Sequence, residues 1–82
     1  MTKEEITHDV NEFLVEEFEI EEDLITPNAT WKQIGIDSLD FVDIVVIIEK
    51  KYGFKLKGED MANIATLDQF YNHILDQVHS KN

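Results

Sequence analysis

The 82 residues contain no cysteine, no arginine, a single proline (Pro27) and three glycines. Without cysteine no disulfide can form, which suits a reducing compartment, and the cytoplasm is the simple expectation. Serine-hydrolase elbows, phosphate-cradling glycine loops and paired cysteine or histidine metal spacings are all missing, so the common enzyme signatures have no residues to rest on. His8, His73 and His79 fall on segments that read as terminal helices, without convergent partners, and they read as solvated. No apolar run approaches the roughly 20 residues needed to cross a membrane. The stretch Met1 to Glu5 reads as the start of a polar helix rather than a signal peptide.

What is abundant is negative charge. Eighteen acids against seven lysines give a formal net charge of -11, which excludes a phosphate backbone as partner and favours basic protein surfaces. The acids concentrate between Glu4 and Asp23. Within them Glu19, Glu21, Glu22 and Asp23 lack the spacing of a calcium loop and read as solvated. A chain of this size is expected to be one domain over residues 1–82. It buries about 60% of its unfolded surface and so depends on helix packing for stability.

Thr2 and Glu5 have the spacing of a capping box, and Ile6, Val10, Phe13, Leu14 and Phe18 recur at helical spacing after them. A long connection follows, from Phe18 to Asp37. Structureless loops of that length are uncommon, so Ile20, Leu24, Ile25, Trp31 and Ile34 are expected to anchor it. Thr30 to Gln33 repeats the capping pattern and predicts one helical turn around Trp31, ended by Gly35.

The second helix is predicted over Ser38 to Tyr52, although Ile44-Val45-Val46-Ile47-Ile48 is a β-branched run that propensity alone would assign to a strand. A cap before it and Gly53 after it favour a helix. At 100° per residue Phe41, Ile44, Val45, Ile48 and Tyr52 share one side, the expected core face. Leu39, Val42 and Val46 form a second apolar row that a chain this small can hardly bury, leaving it for a partner or for packing beneath the long loop. Ile47 falls in the polar stripe of Asp40, Asp43, Lys50 and Lys51, where neither face explains it. Gly58 to Ile64 reads as a short third helix. Thr66 and Gln69 have the spacing to cap a last helix carrying Leu67, Phe70, Ile74, Leu75 and Val78, with His79 to Asn82 expected to fray.

Gly35-Ile36-Asp37-Ser38-Leu39 places a serine where irregular chain gives way to the apolar helix. Either Asp37 or Ser38 could cap that helix. A hydrolytic role for Ser38 lacks a base and an oxyanion loop.

Asp37-Ser38-Leu39-Asp40, with Ile34-Gly35-Ile36 before it and Val42-Asp43-Ile44-Val45 after it, resembles the signature of the acyl carrier protein family. Length, acidity and helix order agree over the whole chain. The resemblance implies an all-α antiparallel four-helix bundle of three main helices and one short one. It implies a carrier, not an enzyme. A separate phosphopantetheinyl transferase would join 4'-phosphopantetheine from coenzyme A to Ser38, and acyl groups would travel on it as thioesters. Fatty acid biosynthesis is the expected pathway. The alternatives are a polyketide or other specialised thioester route, or an unloaded interaction module.

The resemblance further implies that synthase and acyl-transferring enzymes with basic surfaces dock on Asp37, Leu39, Asp40, Val42, Asp43, Val46 and Glu49. It places Met61, Ala62 and Ile64 beside the space that shelters an acyl chain. A monomer without a metal site is expected. A phosphodiester on Ser38 would meet free N–H groups at the helix start, opposed by the charges of Asp37 and Asp40. One departure from the family pattern stands out: Lys50, Lys51, Lys55 and Lys57 put four of seven lysines within eight residues.

Overall fold

The capping box at Thr2 forms as the spacing predicts. Glu5 N–H donates to Thr2 Oγ1 at 3.2 Å and Thr2 N–H to Glu5 Oε1 at 3.1 Å, which holds the Glu5 carboxyl below its usual value. From this cap α1 runs over Lys3–Phe18 and buries Ile6, Val10, Phe13 and Leu14. The computed structural model describes residues 2–80, with Ser80 described by its backbone alone. Helix α1 stops at Glu19, whose φ of 55° makes it the one described non-glycine residue in the left-handed region.

The connection after α1 packs much as its anchors predict. Ile20, Trp31 and Ile34 are buried and Ile25 is partly buried, but Leu24 is 46% exposed. A 3-10 turn over Glu22–Leu24 accounts for this. Hydrogen bonds from Leu24 N–H to Glu21 and from Ile25 N–H to Glu22 tighten the chain, and Ile25, rather than Leu24, faces α1 beside Val15. Thr30 and Gln33 cap each other reciprocally, at 2.9 and 3.2 Å. The segment they open is a hydrogen-bonded turn rather than a full helix. It closes as a Schellman motif: Ile36 N–H donates to the Trp31 carbonyl (2.8 Å), Gly35 N–H to that of Lys32 (3.2 Å), and Gly35 takes φ 83°.

Helix α2 spans Ser38–Tyr52, so the β-branched run is helical. Ile44 and Ile48 are wholly buried, with Phe41, Val45 and Tyr52 packed partly against them. Burial of that one face outweighs the small intrinsic preference of these residues for strands. Gly53, at φ 75°, ends the helix by donating to the Glu49 carbonyl at 2.9 Å. Buried Phe54 and Leu56 then alternate with exposed Lys55 and Lys57, an extended segment with one side inward. Helix α3 covers Gly58–Asn63, held at its start by Lys57 N–H donating to Asp60 Oδ2 (3.1 Å).

Helix α4 covers Leu67–Ser80 and buries Leu67, Phe70, Tyr71 and Ile74, with Leu75 and Val78 partly buried. The helix continues through His79 and Ser80, the first two residues of the end expected to fray. Lys81 and Asn82 lie outside the described residues. Only half of the expected cap at Thr66 forms: Gln69 N–H donates to Thr66 Oγ1 (3.3 Å), but Gln69 Oε1 accepts from Ala65 N–H (2.7 Å). The remaining first-turn donors are satisfied at long range. Leu67 N–H reaches the Ala29 carbonyl (3.0 Å) and Asp68 N–H the Pro27 carbonyl (2.9 Å), while Thr30 and Thr66 form an isolated bridge. The long connection thus caps α4.

Helices α1 and α2 run antiparallel. Tyr52 OH donates to Asp9 Oδ2 (3.4 Å) near one end, and Phe18 faces Asp43 and Ile47 near the other. Helix α4 meets α1 through the Lys3–Asp68 ion pair (2.7 Å) and a hydrogen bond from Tyr71 OH to Asn11 Oδ1. Among the described residues there are four α-helices and no β-strand, so the expected all-α bundle of three main helices and one short helix is the observed one.

Candidate functional site

Three local devices converge on Ser38. The Schellman turn reverses the chain at Gly35, and buried Ile36 pins it to the core one residue before the helix cap. Trp31 holds the turn from beneath. Its Nε1–H donates to the Ile64 carbonyl (3.1 Å), and its ring packs edge-on against Phe41 of α2 and Phe70 of α4, with centroids at 5.8 and 5.1 Å. Asp37 then caps α2, its Oδ1 accepting from Leu39 N–H (3.0 Å) and Asp40 N–H (3.2 Å). Asp40 Oδ2 reciprocates by accepting from Asp37 N–H (3.2 Å).

The sequence left the cap open between two residues, and Asp37 fills it. Ser38 is therefore free of that duty. It is the first residue of α2, it is exposed, and among the described residues its Oγ makes no hydrogen bond.

The second apolar row lies in solvent, with Leu39 80%, Val42 63% and Val46 44% exposed. It does not pack beneath the loop. Asp43 and Glu49 are exposed along the same helix and Asp40 is half-buried by its capping role. Ile47, which helical spacing placed among polar residues, is partly buried against the core. It lines a shallow cavity with Glu17, Phe18, Asp43 and Val46, so the end of α1 covers a side chain that the α2 pattern alone would expose. No local signal in α2 could have shown this contact.

Met61 and Ile64 are buried, but Ala62 is exposed and faces away from them. The expectation that all three line one interior space fails at Ala62. Met61 points inward from the short helix and Ile64 turns inward as the extended residue that ends it, whereas residue 62 is rotated about 100° from Met61 along the helix. His8 pairs with Glu12 (3.3 Å) and His73 stacks edge-on near Phe54 (6.5 Å). No cluster of metal-ligating side chains occurs among the described residues.

The family model for the phosphopantetheine attachment site matches residues 8–74. The chain belongs to the acyl carrier protein family. It is 25% identical over 77 residues to an acyl carrier protein of Rubrobacter xylanophilus, covering 93% of this chain and 95% of that one. It is 28% identical over 79 residues to an acyl carrier protein of Petrotoga mobilis, covering 95% and 93% respectively. A meromycolate extension acyl carrier protein of Mycobacterium leprae is 37% identical over 75 residues, covering 90% of this chain and 65% of the relative.

As an acyl carrier protein the chain is a carrier and not an enzyme, and its cofactor is phosphopantetheine. The residues present suit an ester-linked arm, because a carrier needs an outward primary alcohol without competing bonds, and Ser38 has both properties. The anion site expected beside it is weaker than the bare helix end suggests. The N–H groups of Leu39 and Asp40 are already taken by Asp37 Oδ1, so this turn offers a phosphodiester few donors. Attachment there would rest on the covalent bond, with the phosphate facing water. Among the described residues no helix is long and apolar enough to cross a membrane.

Proposed function

We propose that Ser38 is the phosphopantetheine acceptor and that this carrier serves fatty acid biosynthesis, with residues 1–82 acting as one carrier domain. The observation that supports this most directly is the exposed Ser38 Oγ, unbonded at the start of a helix whose cap is made by its neighbour. When bound, phosphopantetheine supplies a terminal thiol that holds acyl groups as thioesters. Ser38 Oγ forms a new P–O bond to the phosphopantetheine phosphate of coenzyme A as the pyrophosphate bond breaks, with adenosine 3',5'-bisphosphate as the leaving group. Its proton leaves to a base on the transferase, since no acceptor within the described residues is bonded to it.

The exposed row Leu39, Val42 and Val46, flanked by Asp37, Asp40, Asp43 and Glu49, has the composition of a docking surface for enzymes that present apolar and basic groups. The phosphopantetheinyl transferase and the synthase and acyl-transferring enzymes are its occupants in this reading. The carrier acts as a monomer in the cytoplasm. Met61 of α3 and Ile64 just after it are the buried side chains placed to meet a sheltered acyl chain.

Incubation with coenzyme A and a phosphopantetheinyl transferase, followed by intact mass measurement, tests the attachment. Wild-type chain gains the mass of one phosphopantetheine and Ser38→Ala gains none. An adduct on Ser38→Ala, or no adduct on wild type, sinks the assignment. Identification of the thioester-linked cargo on protein purified from its native cell tests the pathway.

A further inference from the structure

Lys50, Lys51, Lys55 and Lys57 are exposed, and none forms an ion pair or side-chain hydrogen bond among the described residues. Helical spacing explains why. Residues three and four away from Lys50 are Ile47, Gly53, Val46 and Phe54, and those from Lys51 are Ile48, Phe54, Ile47 and Lys55, so no acid lies at those spacings. Favourable placement at the negative end of the α2 dipole accounts for Lys50 and Lys51. It does not account for Lys55 and Lys57, which follow the helix and are turned outward because Phe54 and Leu56 are turned inward.

Lys50 also continues the exposed apolar row. It is four residues beyond Val46, a rotation of about 40° from it, and about 6 Å farther along the axis. One stretch of α2 therefore carries Asp43 near Leu39 toward one end, Val46 between, and Lys50 beside Glu49 at the other, with Lys55 following after the helix.

Resting on the docking surface of the preceding section, we propose that the lysine end is the second half of that surface. It selects a transferase whose complementary face is basic where it meets Asp43 and acidic where it meets Lys50 and Lys55. Charge complementarity carries the assignment. A uniformly basic enzyme gains from the net charge of -11 at long range but meets like charge at Lys50 on contact, whereas a two-signed face gains at both ends. Reversed placement on α2 sets like charges together twice, so the same pattern fixes the direction of docking.

The test compares wild type, the neutral double variant K50Q/K55Q and the reversed double variant K50E/K55E as substrates for the phosphopantetheinyl transferase of the same organism, with coenzyme A. Both variants are first checked by circular dichroism for wild-type helix content. The proposal expects KM for the carrier to rise in the order wild type, K50Q/K55Q, K50E/K55E, by about two- to fivefold per lysine reversed, with kcat unchanged. Added salt should shrink the difference. The sign decides the matter. If the lysines are only solvated, each variant makes the chain more acidic toward a basic enzyme, and KM falls or stays level, which overturns the proposal. Failure of wild type to form any adduct sinks the attachment reading instead, so the two failures are distinct.

Discussion

Asp37 and Asp40 close the first turn of α2 on each other: each carboxylate accepts the backbone N–H of the other residue, both at 3.2 Å. The residue between cap and helix body, Ser38, thereby keeps an unbonded hydroxyl. Capping falls to Asp37, which leaves the neighbouring Ser38 hydroxyl available for the attachment proposed above.

That division predicts opposite outcomes for neighbouring substitutions. Asp37→Ala removes an acceptor for two N–H groups and should cost about 1 kcal/mol, lowering Tm by roughly 4–8 °C. Ser38→Ala removes an oxygen with no partner and should change stability by less than about 0.5 kcal/mol. Thermal unfolding followed by circular dichroism compares them. Equal losses would show that Ser38 shares the capping.

Backbone handedness gives a second pair of opposite signs. Gly35→Ala places a Cβ in open space, since nothing lies within 4 Å, yet forces a non-glycine residue to φ 83°. The cost should be about 1–2 kcal/mol, from conformation alone. Glu19 already bears such strain at φ 55°, and Glu19→Gly should stabilise the chain by up to about 1 kcal/mol. Urea denaturation measures both, and a destabilised Glu19→Gly would contradict the strain at the end of α1.

Trp31→Phe keeps an aromatic ring between Phe41 and Phe70 but leaves the Ile64 carbonyl without its donor. An unpaired buried acceptor costs about 1–3 kcal/mol. Chemical denaturation should register that loss, and amide hydrogen exchange should rise at Ile64 and in α3. Unchanged exchange there would remove Trp31 as the anchor of α3.

Alkaline conditions should loosen the fold through two tyrosines. Burial pushes the Tyr71 hydroxyl up to about 12 from an ordinary 10, and burial with the nearby Asp9 carboxylate raises Tyr52 further. The unfolded chain releases these protons near pH 10 while the folded chain retains them. Stability is therefore whole below about pH 10 and falls as pH climbs toward 12. Absorbance of tyrosinate against pH, compared with denaturation midpoints over the same range, checks this. Ionisation of both tyrosines near pH 10 without unfolding is the contrary result.

The features legible in the sequence were those with local causes. Thr2 with Glu5 and Thr30 with Gln33 are reciprocal caps three residues apart, and each formed where its spacing placed it. The β-branched run of α2 read as a helix because its flanks were decisive. The site was legible in part, through the serine at a helix start and the apolar row left over after the core face was assigned.

What escaped reading depends on partners distant in sequence. Ile47 is covered by Phe18, the α4 cap comes from the carbonyls of Pro27 and Ala29, and Leu24 is turned outward by a 3-10 turn without a strong local signature. Ala62 fell to a simpler cause, since a short helix allows only one face inward, and Met61 occupies it.

Trp31 is the sole tryptophan of the chain, and its indole bridges three helical segments at once. Ultraviolet emission from the untouched molecule therefore comes from a single, known location. Any event that lifts the short helix from its seat will alter the polarity around that chromophore, so the protein carries its own optical gauge without a dye.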